Sequence, residues 1–380
     1  MQENFSFITE DEARNLLPPY PAAEDVYTTL SKTGAPILMY GMGNGADRIL
    51  EQLEKRGIEV ADFFASDGFV RGHSFHGRRV LSFSEAREKY GEFRIVLSFG
   101  TRLREVLDLL YGYAERFELY LPDLPVAGKT VFDKDFYNTN YTELLRAITA
   151  LSDEESRRIF AAVIHYKLTG RITHLQLAYS TDASYDECLA YESIKESVDA
   201  GAYDGDTASA ILKKANNLRQ ILAIEPDAKN FKRLCKRIER EGIGQRVRTV
   251  HAALWSDEAQ GVLSRGENRN SSLCNQTYNA PEDTVQLLPL DRLVERYGLS
   301  PDYIKYDVEG AEKEALLGST ATIEKYAPIL QISVYHRSED LFELLFLARR
   351  LCPGARFLLR RRECLPAWEI DLFVLKASCN

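Results

Sequence analysis

The stretch that most constrains the fold is Asp199-Ala-Gly-Ala-Tyr-Asp-Gly-Asp-Thr207. A short apolar run, Ile194 to Ala200, reads as a strand before it, and Thr207 to Leu218 reads as a helix after it. A strand feeding a glycine-rich turn and then a helix is how α/β folds bring backbone N–H groups to a ligand. This turn carries Gly201 and Gly205, three aspartates and no lysine. It therefore lacks the Gly-Lys-Ser/Thr ending that cradles a triphosphate. An acidic loop suits a ligand with a cationic or hydroxyl-rich part.

At 380 residues the chain exceeds what one core usually supports, so two domains are expected. The 57 acidic residues outnumber the 48 basic ones, for a net charge of −9, which gives no electrostatic ground for binding nucleic acid. No apolar run reaches the roughly 18–20 residues of a membrane span. Met1 to Asp11 is polar and acidic, unlike a signal peptide, and a cytoplasmic location is expected. The six cysteines are scattered without a CxxC pair, so neither a zinc site nor a disulfide framework is suggested.

Strands alternate with helices twice along the chain. In residues 1–127 the strands Pro36–Tyr40, Ile58–Phe64, Arg79–Ser82, Arg94–Ser98 and Phe117–Leu121 are separated by helical runs, as in a Rossmann-like domain with a parallel sheet. Gly41-x-Gly43-x-Gly45 follows the first strand, where a dinucleotide fingerprint would lie, but the fingerprint's last glycine is missing: position 46 is Ala46 and position 47 is Asp47. A nucleotide or nucleotide-sugar at Gly41–Gly45 is the functional expectation, and a tight turn needing only small residues is the structural one. Residues 128–193 read as a helical bridge, its second helix opening with a Ser152/Glu155 capping box. Residues 194–380 alternate again, with strands at Ile194–Ala200, Gln220–Glu225, Arg246–His251, Thr284–Leu288, Tyr303–Asp307 and Ile329–Val334. A terminal antiparallel pair, Arg356–Arg360 with Ile370–Leu375, completes them. Ser256 to Asp283 is expected to form a loop or hairpin covering the site.

In open α/β sheets ligands lie beyond the carboxyl ends of the strands. Those ends carry Asp199 to Gly205, Glu225-Pro226, Ala253, Asp307, Glu309 and Tyr335-His336. Glu225 stands 24 residues beyond Gly201, where a carboxylate accepts hydrogen bonds from ribose hydroxyls. S-adenosylmethionine, with its sulfonium, ammonium and ribose, is the ligand this combination suits. The expected binding residues are Asp199, Gly201, Ala202, Tyr203, Asp204, Gly205, Thr207, Glu225, Pro226, Ala253 and Asp307.

Four motifs in order carry a family resemblance. Asp199–Thr207, Ala223-Ile-Glu-Pro-Asp227, Leu290-Asp-Arg-Leu293 and Ile304-Lys-Tyr-Asp-Val-Glu-Gly-Ala-Glu312 together resemble the FkbM family of S-adenosylmethionine-dependent methyltransferases. The resemblance covers about residues 195 to 375. It implies a class I methyltransferase fold with a doubly wound seven-stranded sheet, and methyl transfer to a hydroxyl of a sugar, glycan or other small molecule. The N-terminal region lies outside it and resembles nucleotide-binding half-domains of sugar-modifying proteins.

A hydroxyl nucleophile must lose its proton, so a base is expected near the acceptor. His336 or Asp307 is expected to accept it, with Glu309 holding acceptor hydroxyls. Asp307, Glu309 and Glu312 form a carboxylate cluster with the oxygen ligands Mg²⁺ favours, but no metal is expected. The competing functional reading is a non-catalytic nucleotide or nucleotide-sugar binding protein with a degenerate second domain. The intact acidic loop, Glu225 and Asp307 speak against it.

Overall fold

The computed structural model describes residues 8–19, 24–70, 72, 74–265, 271–274 and 284–376. Its first sheet contains β1 (Ile37–Tyr40), β2 (Asp62–Ala65), β3 (Leu81–Ser82), β4 (Arg94–Leu97) and β5 (Leu119–Tyr120). The order is β3-β2-β1-β4-β5, all parallel. Both faces are covered, which is why these strands read as continuous apolar runs rather than alternating ones.

The second half holds β6 (Glu196–Ala200), β7 (Gln220–Ile224), β8 (Val247–Val250), β9 (Ala253–Leu254), β10 (Ala259–Arg265), β11 (Ser271–Cys274) and β12 (Thr284–Leu288). It continues with β13 (Tyr303–Tyr306), β14 (Ile329–Ser333), β15 (Arg356–Arg361) and β16 (Ile370–Leu375). The main sheet has seven strands in the order β8-β7-β6-β13-β14-β16-β15. Only β16 runs against its neighbours. The chain reverses direction on either side of β6, and the crevice at that switch point opens above the Asp199–Thr207 loop.

Thr284–Leu288 does not join this sheet. It pairs with β9 and β10 in a separate four-stranded sheet, and the segment expected to form a loop or hairpin contains the antiparallel pair β10–β11. The remainder of that segment, 266–270 and 275–283, lies outside the described residues.

Two long helices, Lys134–Ala150 and Glu154–Thr169, connect the sheets. The second is capped by Asp153, whose side chain accepts from Ser156 N, and not by the expected Ser152/Glu155 box. The reason is the edge strand β15. Ser152 Oγ accepts from Phe357 N (2.9 Å) and Ser156 Oγ from Leu359 N (2.8 Å), so the helix start supplies acceptors to an edge that would otherwise be bare. Glu155 turns instead to Ser180 and Ser184. At its other end the same helix buries Lys167 against Asp123, with Nζ 2.7 Å from Oδ2 and both side chains almost wholly out of solvent.

One apolar core runs from Leu38 and Ile95 of the first sheet through Ile148 and Phe160 to Ile304 and Ile332 of the second. The sheets are thus held in one arrangement by shared packing. No helix among the described residues is long and apolar enough to cross a membrane.

Lys167→Met strands a buried carboxylate, and the expected loss is about 3–5 kcal/mol, read as a lower denaturation midpoint. The double replacement Asp123→Leu/Lys167→Met should recover most of it, because a buried pair exchanged for packed apolar groups is often neutral.

Candidate active site

A single cleft of about 1400 Å³ opens at the carboxyl ends of the main sheet's strands. Its floor includes Gly201, Tyr203, Thr207, Glu225, Pro226, Ala253, Lys305, Asp307 and Glu309. Its opposite wall comes from the first sheet, with Met42 to Gly45, Arg48, Gly100 and Arg102. The two glycine turns, 160 positions apart at Gly41 and Gly201, face one cavity.

Gly201 is what lets the loop lie where it does. Its φ is +82°, and a Cβ there would sit 1.8 Å from the carbonyl oxygen of Asp307. The backbones after β6 and β13 can therefore touch only at glycine. Gly201 N and Ala202 N both donate to Ile224 O, at 3.0 and 2.9 Å, which ties the loop to the end of β7. Gly205 then caps the helix Asp206–Lys214.

Strand register sets a buried polar row. Asp199 lies opposite Lys305, and Lys305 opposite Gln331, so the three share one face of adjacent strands. Both carboxylate oxygens of Asp199 are buried without a hydrogen-bond partner. Burial raises its carboxyl to about 7, with Lys305 opposing the rise and Asp206 and Asp307 adding to it. Glu225 accepts from Tyr203 N (2.8 Å) and Asp227 N (2.9 Å). Burial outweighs those two N–H bonds and lifts Glu225 to about 7 as well.

The second cluster surrounds His336, which is wholly buried. Its Nδ1 lies 2.9 Å from Glu312 Oε1, and its Nε2 lies 3.6 Å from Asp307 Oδ1 and 3.5 Å from Glu309 Oε2. None of the three contacts has hydrogen-bond geometry, so these are ion-pair contacts, and Nε2 is too far from both carboxylates for a normal hydrogen bond. Burial alone would lower the imidazole, but Glu312, Glu309 and Asp307 outweigh it and raise His336 to about 10. Asp307 is held at about 2: burial pushes it up, and Lys305 Nζ at 2.9 Å, with His336, pulls it down further. Glu309 has a φ of +56°, a conformation non-glycine residues adopt at a cost of order 1–3 kcal/mol.

Residues 199–357 match the family model described as the Methyltransferase FkbM domain. This stretch is thus recognised as an FkbM methyltransferase domain. Among solved structures, the methyltransferase FkbM from Methylobacillus flagellatus KT aligns with a TM-score of 0.71 and 18% identity, over 96% of this chain and 98% of that one. The shared fold therefore includes the N-terminal sheet as well as the FkbM domain. A putative O-methyltransferase from Klebsiella pneumoniae aligns more loosely, with a TM-score of 0.34 and 12% identity over 59% of this chain and 91% of that one. No curated protein matches the sequence.

Within the FkbM domain the sequence-expected residues divide by position. Gly201, Tyr203, Thr207, Glu225, Pro226, Ala253, Asp307 and Glu309 line the cleft. Asp199, Ala202 and Gly205 form the layer beneath it, while Asp204 turns to Arg237 at 2.7 Å and fastens the loop to the helix Ala228–Glu241. His336 sits behind Asp307 and Glu309 and does not line the cleft. Its expected pKa near neutrality does not hold, because three carboxylates surround one buried ring. Glu312 accepts from Val308 N (2.9 Å) and faces His336.

Sequence reasoning missed Lys305 as a site residue, although a lysine inside an apolar strand was a visible signal. It also missed Gln331, Arg362, Trp368 and Asp371, which reach the cleft from β14, the β15–β16 connection and β16. His165 and His174 stack 5.4 Å apart away from the cleft, and His76 pairs with Asp47. His73 lies outside the described residues.

Gly201→Ala forces the Asp307 carbonyl to move. Its expected cost exceeds the ~1–2 kcal/mol of left-handed strain alone, measured as a fall in thermal unfolding temperature.

Proposed function

We propose that the protein is an S-adenosylmethionine-dependent methyltransferase that methylates a hydroxyl of a sugar or another hydroxyl-rich small molecule. The observation that carries this reading is Asp199, whose two buried, unpartnered oxygens lie beneath a glycine loop that opens onto the cleft. A carboxylate buried in that way is costly unless a donor or cation meets it, and the cofactor's ammonium is such a group. Glu225, on the neighbouring strand end, keeps a lone pair on each oxygen for ribose hydroxyls. The residues present therefore fit the cofactor.

When bound, S-adenosylmethionine supplies a methyl group made electrophilic by its sulfonium. The chain's own contribution is position, since an in-line displacement gains most from holding two reactants in a near-attack geometry. Asp199, Gly201 and Glu225 hold one side. Asp307 and Glu309 face the cleft on the other, and the hydroxyl's proton passes to this carboxylate pair, in which burial raises Glu309 to about 7.

The wall opposite supports a hydroxyl-rich acceptor. Tyr335 and Trp368 offer apolar ring faces, while Gln331, Asp371 and the Arg102–Glu369 pair offer hydrogen-bonding groups. Aromatic faces and polar groups in one cavity suit a sugar, whose C–H faces and hydroxyls differ in the same way. The Gly41–Gly45 turn, for which the sequence left open a nucleotide site or a plain tight turn, lines the same cavity and joins this acceptor wall in the proposed reading.

Calorimetry with S-adenosylmethionine and its demethylated product tests the donor side, and binding of neither would sink the reading. Asp199→Asn should weaken S-adenosylmethionine at least tenfold, since a hydrogen bond to a charged group contributes about 1.5–3 kcal/mol. Asp199 and Glu225 titrate near 7 and bind as anions, so affinity should fall as pH drops from 8 to 6. An affinity that is flat across that range would remove Asp199 and Glu225 from the role. Mass spectrometry of a glycan pool incubated with the enzyme should show the gain of one methyl group on the acceptor.

A further inference from the structure

We infer that the cluster at His336 is a divalent-cation site, with His336 Nε2, Asp307 and Glu309 as ligands and Glu312 orienting the ring from behind. Asp307, Glu312 and His336 present ligand atoms within 4.8 Å of one another, and Glu309 Oε2 joins them at 3.5 Å from Nε2.

The distances themselves select this reading. Nε2 is 3.6 Å from Asp307 Oδ1 and 3.5 Å from Glu309 Oε2, beyond the 2.7–3.2 Å of an N–H···O hydrogen bond. Metal–ligand bonds of about 2.0–2.3 Å place neighbouring donors roughly 3–3.7 Å apart around a tetrahedral or octahedral ion. Both distances from Nε2 fall in that range.

A second, independent observation is the state of the buried atoms. Nε2 of a wholly buried imidazole has no hydrogen-bond partner, and neither does the buried Glu309 Oε2 facing it. Buried polar atoms of this kind are rare because they forfeit their water without replacement. On the far side of the ring, Glu312 Oε1 lies 2.9 Å from Nδ1 and is itself pinned by Val308 N. A carboxylate behind a histidine is the usual support of a metal-bound imidazole, and Glu312 stands in that place as an ion-pair contact.

Charge completes the case. Three carboxylates converge on one ring, and the nearby Lys305 ammonium donates to Asp307 Oδ2. One nitrogen with two carboxylate oxygens suits a first-row divalent ion such as Mn²⁺ or Zn²⁺. Asp307 and Glu309 line the cleft while His336 does not, so the ion's open side would face the acceptor. If the methyl-transfer reading holds, that side takes the hydroxyl oxygen and eases loss of its proton. The site itself does not rest on that reading, and it departs from the sequence expectation of no metal.

The experiment uses the full chain, dialysed against chelator and then titrated with MnCl₂ or ZnCl₂ by calorimetry, with bound metal counted by elemental analysis. One ion per chain is expected, with affinity at least tenfold weaker in Asp307→Asn and in Glu309→Gln. Glu309→Gln alters a cleft-facing side chain and keeps the comparison valid if Asp307→Asn misfolds. No stoichiometric uptake by the wild type, or uptake unchanged in both variants, overturns the site. S-adenosylmethionine binding is measured on the same chelated sample. If it persists without metal uptake, only the cation site falls, and if it is absent while metal binds, only the methyl-transfer reading falls.

Discussion

The arrangement of the site depends on one buried cation, the Lys305 ammonium. It lies on β13 between Asp199 on one side and Asp307 at the strand's end, and it donates to Asp307 at 2.9 Å. Burial would strip its proton, but Asp307 and Asp199 overcome that and hold the lysine above its ordinary value. In return it keeps Asp307, which faces the cleft, ionised. A lysine in this place costs desolvation, and the neighbouring acids offset it. The two halves of the proposed chemistry, donor side and acceptor side, meet at this side chain.

Around that centre the backbone is packed close enough that side-chain size becomes decisive. Gly201 approaches the Asp307 carbonyl, and Gly310, at a φ of +95°, approaches Ala127 from the segment that leaves the first sheet. The loop Asp307–Gly310 is therefore gripped from both sides, and the strained backbone at Glu309 is held by its surroundings. The first sheet contributes a wall in the same way. Its loop at Gly100 and Thr101 pairs with Leu365 near Trp368, so the cleft has a fixed roof as well as a floor.

Much of this was legible because local pattern and tertiary environment agree. Continuous apolar runs bounded by glycine, proline or acid marked the strands, and the carboxyl ends of those strands located Glu225, Asp307 and Glu309 in one cleft. The errors have specific causes. Thr284–Leu288 has the composition of a sheet strand, but its partners are β9 and β10, and pairing is a choice made across space. Ser152 and Glu155 have capping-box spacing, yet the edge of β15 and two distant serines competed for them and won. His336 looked like a neutral base because no one-dimensional reading shows three carboxylates closing on a ring.

The sequence by itself determined the alternation of strands and helices, the parallel sheets that follow from it, and the acidic glycine loop beside Glu225. These are encoded within a few residues of one another, by periodicity, turn chemistry and the steric freedom of glycine. Only the tertiary structure decided that the Gly41 and Gly201 turns share a cavity, that Lys305 is a site residue, and that His336 is ringed by acids. Each of these joins residues far apart in the chain, and its energy comes from burial and charge in a low-dielectric interior that exists only once the sheets have packed.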